Sequence, residues 1–182
     1  MLIAQQKRKE NIVEYILYLY QVEDLIRALQ LKMPAIEKQL ISRYSVDEKT
    51  RQKISGWYKN LVIMMEKEGI REKGHFQFLI NQINDLNELH LKLMETAADE
   101  NYLRMFKSVS GLITELQMKG NRANNDLQLA LDAVYGYLLL KIQKKEVSID
   151  TTEAIKRLTN WMNALSKLFR DYETGELDFE QN

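Results

Sequence analysis

The 182-residue chain contains no cysteine and only one proline. Without cysteine it cannot form a disulfide, present a thiol nucleophile or build a cysteine-based zinc site. This absence is typical of proteins in a reducing cytoplasm. Sustained alternation of β-branched and polar residues is also missing, so the sequence gives little support to β-strands. A chain with so few helix-breaking residues favours long helices.

Long apolar runs are missing as well. The first residues, MLIAQQKRKEN, turn polar after Ala4, whereas a signal peptide needs an apolar stretch of about 7–15 residues. The most apolar stretch, residues 12–22, includes Glu14 and Gln21 and is shorter than the roughly 20 residues that cross a bilayer. We therefore expect a cytoplasmic protein that does not enter a membrane.

The chain has no excess of either charge, since 26 Lys and Arg residues balance 26 Asp and Glu residues. Nucleic-acid-binding domains are usually basic overall. The two short basic runs, QKRKE (6–10) and KIQKKE (141–146), are offset by acidic segments elsewhere. We therefore do not expect a nucleic-acid partner.

Acidic residues gather at the C-terminal end, at about residues 174–182. No Lys or Arg follows Arg170, and up to that point 26 basic residues face 21 acidic ones, so residues 1–170 carry a net charge of +5. A run of one charge usually forms a solvated segment. Leu177 and Phe179 interleave with these acids, however, and we predict that the segment packs back onto the body. The lysines expected to receive it are Lys141, Lys144 and Lys145.

Apolar residues recur at three- and four-residue spacings along almost the whole chain, which is typical of amphipathic α-helices. The pattern predicts an all-α fold, a single-domain helical bundle over residues 1–182 with about six long helices and one short helix. The predicted helices span approximately residues 4–31, 34–43, 48–68, 75–95, 99–118, 127–142 and 151–173.

Local signals predict several helix ends. Pro34 suits the first turn of the short helix, where a missing N–H costs nothing. In SVDEK (45–49), either Ser45 forms a capping box with Glu48 or Asp47 caps the third helix. Gly69 is the expected end of that helix.

Two further features concern later helices. Asp150 and Glu153 have the spacing of a capping box and predict the start of the last helix. Gly56, Gly111 and Gly136 fall inside predicted helices, where glycine costs about 1 kcal/mol relative to alanine. We attribute these three glycines to close helix–helix contacts.

The first predicted helix contains EYILYLYQVEDLIRA (14–28), which is apolar on all faces up to Val22. A helix of this kind is usually enclosed by its neighbours, so we place it centrally in the bundle. Glu23, Asp24 and Arg27 follow within one turn, at spacings that allow ion pairs. We interpret them as a buried structural cluster in which Arg27 contacts Glu23, Asp24 or both. The alternative is an acid–base or metal-ligating site.

His90 lies on an apolar helix stripe between Leu86 and Leu93, where a histidine is most often hydrogen-bonded and structural. A ligand-binding or acid–base role is the alternative. Ferritin-like di-metal sites need Glu-x-x-His on two helices, and the only match here is Glu72 with His75. Nucleotide-binding, hydrolase and metalloprotease signatures are also missing. We therefore expect no catalytic residue, no metal and no cofactor.

The segments IAQQKRKENIVEYILYLYQVEDLIRA (3–28) and YETGELDF (172–179) resemble an uncharacterised all-helical bacterial family, a domain of unknown function, over the whole chain. The resemblance implies a cytoplasmic helical protein. It carries no catalytic or binding residue over to this sequence.

The sequence does not establish a function. We expect a non-enzymatic helical protein that acts by association with another protein or with a second copy of itself, because surplus aromatic residues are typical of interfaces. The alternative is a small-molecule-binding or enzymatic bundle. Its pocket would lie near His90 and near Glu23, Asp24 and Arg27.

Overall fold

A computed structural model describes residues 2–119 and 123–179, and all regular structure in these residues is helical. The predicted all-α fold is therefore confirmed. The described residues form eight α-helices and a short 3₁₀ helix at Ile41–Arg43. The α-helices are α1 (Leu2–Glu10), α2 (Ile12–Ala28), α3 (Met33–Gln39), α4 (Glu48–Lys67), α5 (Gln77–Thr96), α6 (Glu100–Met118), α7 (Asp126–Ile142) and α8 (Ile149–Glu173).

The backbone contacts divide the chain into two compact units. The first unit takes in residues 1–10 and 14–81, and the second takes in residues 11–13 and 82–182. The first unit thus holds α1, most of α2, α3, α4 and the start of α5. The second unit holds the rest of α5 and helices α6 to α8. The single-domain organisation of the whole chain stays a prediction.

The first predicted helix is wrong in one respect, because it breaks at Asn11 into α1 and α2. The Asn11 side-chain oxygen accepts the Val13 N–H at 3.0 Å, and Ser166 Oγ accepts the Ile12 N–H at 3.0 Å. The Asn11 amide also donates to Asn163 Oδ1 at 2.9 Å. Side chains therefore satisfy donors at the start of α2 that a continuous helix would bond to its own backbone. All five residues belong to the second unit.

Helix α2 contributes buried side chains at adjacent positions, at 12 and 13, at 19 and 20, and at 22 and 23. Adjacent residues lie about 100° apart around a helix. The burial of α2 therefore extends over more than one face, as its apolar sequence predicts. Its central place in the fold stays a prediction.

The caps settle one open alternative and correct one prediction. The Asp47 side chain, rather than Ser45, accepts the Thr50 N–H and caps α4. Helix α8 begins earlier than expected, because Ser148 accepts the Thr151 N–H and the predicted start at Asp150 was wrong. Gly69 follows the end of α4 with φ of 70°, the left-handed conformation that glycine adopts readily.

The explanation for the three helical glycines was wrong. A Cβ atom added at Gly56, Gly111 or Gly136 would meet nothing within 4 Å. No close approach of another helix within the described chain requires glycine at these positions.

The described part of the C-terminal segment folds back. The N–H groups of Glu176 and Leu177 both donate to the Asp171 carbonyl, at 2.7 and 2.9 Å. The Phe179 ring lies 5.9 Å from that of Tyr172, and Lys92 Nζ lies 4.4 Å from the Phe179 centroid. The cation above Phe179 is thus Lys92 and not one of the three predicted lysines. Residues 180–182 of the predicted acidic segment lie outside the described residues.

Candidate functional site

The polar residues at the end of α2 meet the loop that joins α4 to α5 within the first unit. This loop, residues 68–76, contains two glycines in the left-handed region, Gly69 with φ of 70° and Gly74 with φ of 95°. The turns that these glycines make expose carbonyls and an N–H group that helices cannot satisfy internally. Side chains from α2 supply the partners.

Arg27 contacts Asp24 on its own helix and two carbonyls of the loop. Its guanidinium donates to Asp24 Oδ1 at 2.9 Å and to the Ile70 carbonyl at 3.3 Å. It also donates to the Gly74 carbonyl. The five N–H groups of a guanidinium spread in a plane, which suits one carboxylate and two carbonyls at once. Arg27 therefore fastens the loop as well as forming an ion pair.

Glu23 is fully buried and uses both carboxylate oxygens on the same loop. Oε1 accepts the Phe76 N–H at 2.8 Å, and Oε2 lies 2.6 Å from His75 Nδ1. The His75 ring also stacks on Tyr20, with 3.7 Å between the ring centroids. The imidazole is thus fixed on two sides while its ring stays partly exposed.

The bond to Phe76 helps to start α5. The Phe76 carbonyl accepts the N–H groups of Leu79 and Ile80, which places Phe76 at the N-terminus of the helix. The next N–H, that of Gln77, is accepted by Glu68 at 2.8 Å. Carboxylates from α2 and from the end of α4 therefore do what a local serine or aspartate does at other helix starts.

His90 belongs to the second unit and is buried there. Its Nδ1 lies 2.6 Å from the Tyr102 hydroxyl, which also accepts the Trp161 indole N–H at 3.1 Å. The Tyr102 oxygen thus joins the His90 imidazole to the Trp161 indole within one buried network. The Phe106 ring packs against the imidazole, with 4.6 Å between the centroids.

The surroundings of this network favour neutral side chains. Burial lowers the pKa of His90, and the charge of Asp126 opposes that shift without cancelling it. Burial likewise raises the pKa of Tyr102. The network is thus a set of neutral hydrogen bonds in an apolar setting.

A family model described as a domain of unknown function (DUF4924) matches residues 1–176. The chain belongs to the DUF4924 family. The match takes in all eight described helices and His90, together with Glu23, Asp24, Arg27 and His75, which we call the Glu23 cluster. The comparisons found no matching curated protein and no matching solved structure.

In this DUF4924 chain the candidate residues fall into two groups. Glu23, Asp24 and Arg27 lie together in the first unit, whereas His90 lies in the second. Arg27 pairs with Asp24, as its spacing predicts. Glu23 instead pairs with His75, 52 positions away, a partner that no local spacing indicates.

Glu72 and His75 of the Glu-x-x-His motif do not pair with each other in the folded DUF4924 chain. The carboxylate that contacts His75 is that of Glu23, not that of Glu72. Over residues 2–119 and 123–179, no group of three or more acidic or histidine side chains could hold a metal ion. A buried carboxylate behind a histidine can orient the ring for catalysis or metal binding. Here Glu23 also accepts the Phe76 N–H at the start of α5.

None of the described helices of this DUF4924 chain is long and apolar enough to span a membrane.

Proposed function

We propose that this DUF4924 protein is a non-enzymatic cytoplasmic protein that acts through protein–protein association, and that its first partner is a second copy of the same chain. The observation that carries the proposal is the fate of one apolar stripe on α7. The stripe begins in the core and ends in solvent.

Five residues define this stripe at helical spacing. Leu127, Leu131 and Val134 are buried, and the next two, Leu138 and Ile142, are 40% and 62% exposed. Residues at these spacings lie on the same side of a helix. Within residues 2–119 and 123–179, the face that forms core in the first half of α7 is therefore left uncovered in the second half.

The exposed half of α7 is rich in residues that interfaces favour. Residues 135–142 read YGYLLLKI, and none of them is fully buried. The only charge among them is Lys141, whose Nζ lies 5.4 Å from the centroid of the Tyr137 ring. Tyrosine and aliphatic residues with little charge are typical of the centre of a protein interface. Covering this segment would remove apolar area from water, at about 25 cal/mol per Å².

A second copy is the partner that these properties favour. In a two-fold dimer the same patch occurs on both subunits, so an uncharged apolar helix face meets an identical one. The formal net charge of the chain is zero. Proteins without net charge have little long-range repulsion between copies.

Sedimentation velocity over a range of concentrations tests the proposal. We expect the wild-type protein to dimerise and the double variant Leu138→Gln/Ile142→Gln to remain monomeric with unchanged circular dichroism. The matched control is Leu91→Gln/Met94→Gln, two residues of α5 that are 57% and 37% exposed. This control should dimerise like the wild type. A wild-type protein that is monomeric at its highest soluble concentration, or equal dimerisation of both double variants, would overturn the proposal.

A further inference from the structure

A cavity of about 360 Å³ lies in the first unit, away from the Glu23 cluster in sequence. It is formed by the start of α1, the segment after the 3₁₀ helix and the first turns of α4. Its lining residues are Ile3, Gln5, Tyr44, Val46, Thr50, Lys53 and Ile54. The volume lies within the range of about 300–1,000 Å³ that small-molecule sites occupy.

The lining combines an apolar body with one positive charge. Ile3, Val46 and Ile54 supply aliphatic surface, and among the described lining residues only Lys53 is charged. In the described part of the chain Lys53 forms no ion pair. A site of this composition suits a ligand with an apolar body and a single negative charge.

The acidic residues closest to Lys53 in sequence are already engaged. The Asp47 carboxylate accepts the Thr50 N–H at 2.9 Å and its hydroxyl at 2.7 Å. These bonds lower the pKa of Asp47. The Glu48 carboxylate lies 3.7 Å from the Arg51 guanidinium. The Lys53 ammonium is therefore available to pair with the carboxylate of a ligand.

Tyr44 lines the cavity, and its hydroxyl has two tyrosine neighbours. Its hydroxyl interacts with those of Tyr18 and Tyr58. Burial is the larger cause, and the Tyr44 hydroxyl the next, of a raised pKa at both of these tyrosines. The hydroxyls of Tyr18 and Tyr58 therefore stay protonated at physiological pH and can donate hydrogen bonds to the Tyr44 oxygen.

We propose that this cavity binds a small monocarboxylic acid with an apolar body. The body packs against Ile3, Val46 and Ile54, and the carboxylate lies toward Lys53 and the Tyr44 hydroxyl. A cavity of about 150 Å³ holds benzene, so this one suits a ligand on the order of ten non-hydrogen atoms. The proposal is independent of self-association, because it involves none of residues 135–142.

Octanoate, octanol and octylamine are the probes for this site, because they share the apolar body and differ in the head group. Titrations followed by methyl resonances should show octanoate binding, with shifts at Ile3, Val46 and Ile54. Octylamine should bind more weakly than octanoate, because its charge repels Lys53. Absence of shifts at these three residues, or octylamine binding as tightly as octanoate, would overturn the proposal.

The variant Lys53→Met separates the charge from the cavity. It keeps much of the apolar stem, so octanoate affinity should fall about tenfold while octanol affinity stays the same. The matched control is Lys59→Met, an exposed lysine further along α4, which should leave both affinities unchanged. Equal octanoate affinity in the two variants would show that Lys53 does not bind the carboxylate.

Two further variants test the cavity itself. Val46→Trp fills it and should abolish binding of octanoate and octanol alike. Tyr44→Phe keeps the ring and removes only the hydroxyl, so it should weaken octanoate more than octanol even if the tryptophan variant does not fold. Unchanged octanoate binding in a folded Val46→Trp protein, or an equal effect of Tyr44→Phe on both probes, would contradict the proposed site.

Discussion

The Glu23 carboxylate on α2 holds the His75 imidazole 52 positions later, with 2.6 Å between Oε2 and Nδ1. The other oxygen of the same side chain accepts the Phe76 N–H, at the start of α5. One fully buried side chain thus joins α2 to the loop of residues 68–76 and to the start of α5. The charges that follow the apolar part of α2 are therefore used to position a loop.

Replacing Glu23 with glutamine should destabilise the protein by about 1–3 kcal/mol. The amide keeps the shape of the side chain, but it has one oxygen where the two carboxyl oxygens contact the Phe76 N–H and His75 Nδ1. The matched control is Glu14→Gln on the same helix, where the carboxylate pairs with Lys7 at the surface and the expected change is below about 1 kcal/mol. Urea unfolding of both variants measures the difference. Equal free energies of unfolding would contradict the role assigned to Glu23.

Arg27→Met should cost more stability than Asp24→Asn. Removing the guanidinium leaves the Ile70 and Gly74 carbonyls without their donor, at about 1–3 kcal/mol in total. Asp24 remains partly exposed, so its loss should cost less than about 1 kcal/mol. Hydrogen exchange should also show faster exchange in residues 70–76 of Arg27→Met only. A larger effect of Asp24→Asn would show that the ion pair, and not the loop contact, matters most.

The stability of the protein should fall as the pH drops below about 6.5, the ordinary pKa of histidine. Burial lowers the pKa of His90 in the folded state, so the unfolded chain takes up the proton first. The contribution of His90 is thus fully present above the unfolded pKa and is lost as the pH falls through the folded one. Urea unfolding at pH 7.5, 6.0 and 5.0 measures this dependence. The variant His90→Gln should show a smaller loss of stability over the same range, and an unchanged loss would assign the effect to other groups.

Gly56→Ala and Gly111→Ala should each stabilise the protein by about 0.5–1 kcal/mol. Alanine is the better helix former, and the added methyl group meets no atom within 4 Å at either position. Gly69→Ala is the control, because its φ of 70° strains any residue with a Cβ, and it should destabilise by about 1 kcal/mol. Thermal unfolding of the three variants gives the order. If Gly111→Ala destabilises the protein, the space beside Gly111 is not open in solution, and this prediction is wrong.

The sequence predicts the helices well because their signal is local. Apolar spacing locates six of the described helices, α3 to α8, to within a few residues. Asp47 and Gly69 mark helix ends through chemistry that acts within one turn. The break at Asn11 has one local signal, since asparagine is a preferred N-cap and its side chain accepts the Val13 N–H, but apolar spacing does not reveal it. Its acceptor for the Ile12 N–H is Ser166, which lies 154 positions further along the chain.

Burial is the second property that spacing does not determine. Leu131 and Ile142 lie on one periodic stripe of α7, yet the first is fully buried and the second is 62% exposed. Periodicity shows which side of a helix is apolar. Only the packing of other elements decides how far along the helix that side is covered. The pairing of Glu23 with His75 also depends on packing, because the two residues lie 52 positions apart and no local spacing relates them.

The junction between α1 and α2 constrains the order in which the chain can fold. The Asn11 side chain donates to Asn163 and the Ile12 N–H donates to Ser166, both on α8. Contacts of such long sequence separation form late, because a large loop must close first. During synthesis this junction cannot be completed before Ser166 has left the ribosome. Until then the Ile12 N–H at the start of α2 lacks its native acceptor, so the first turn of α2 reaches its final bonding only once α8 is made.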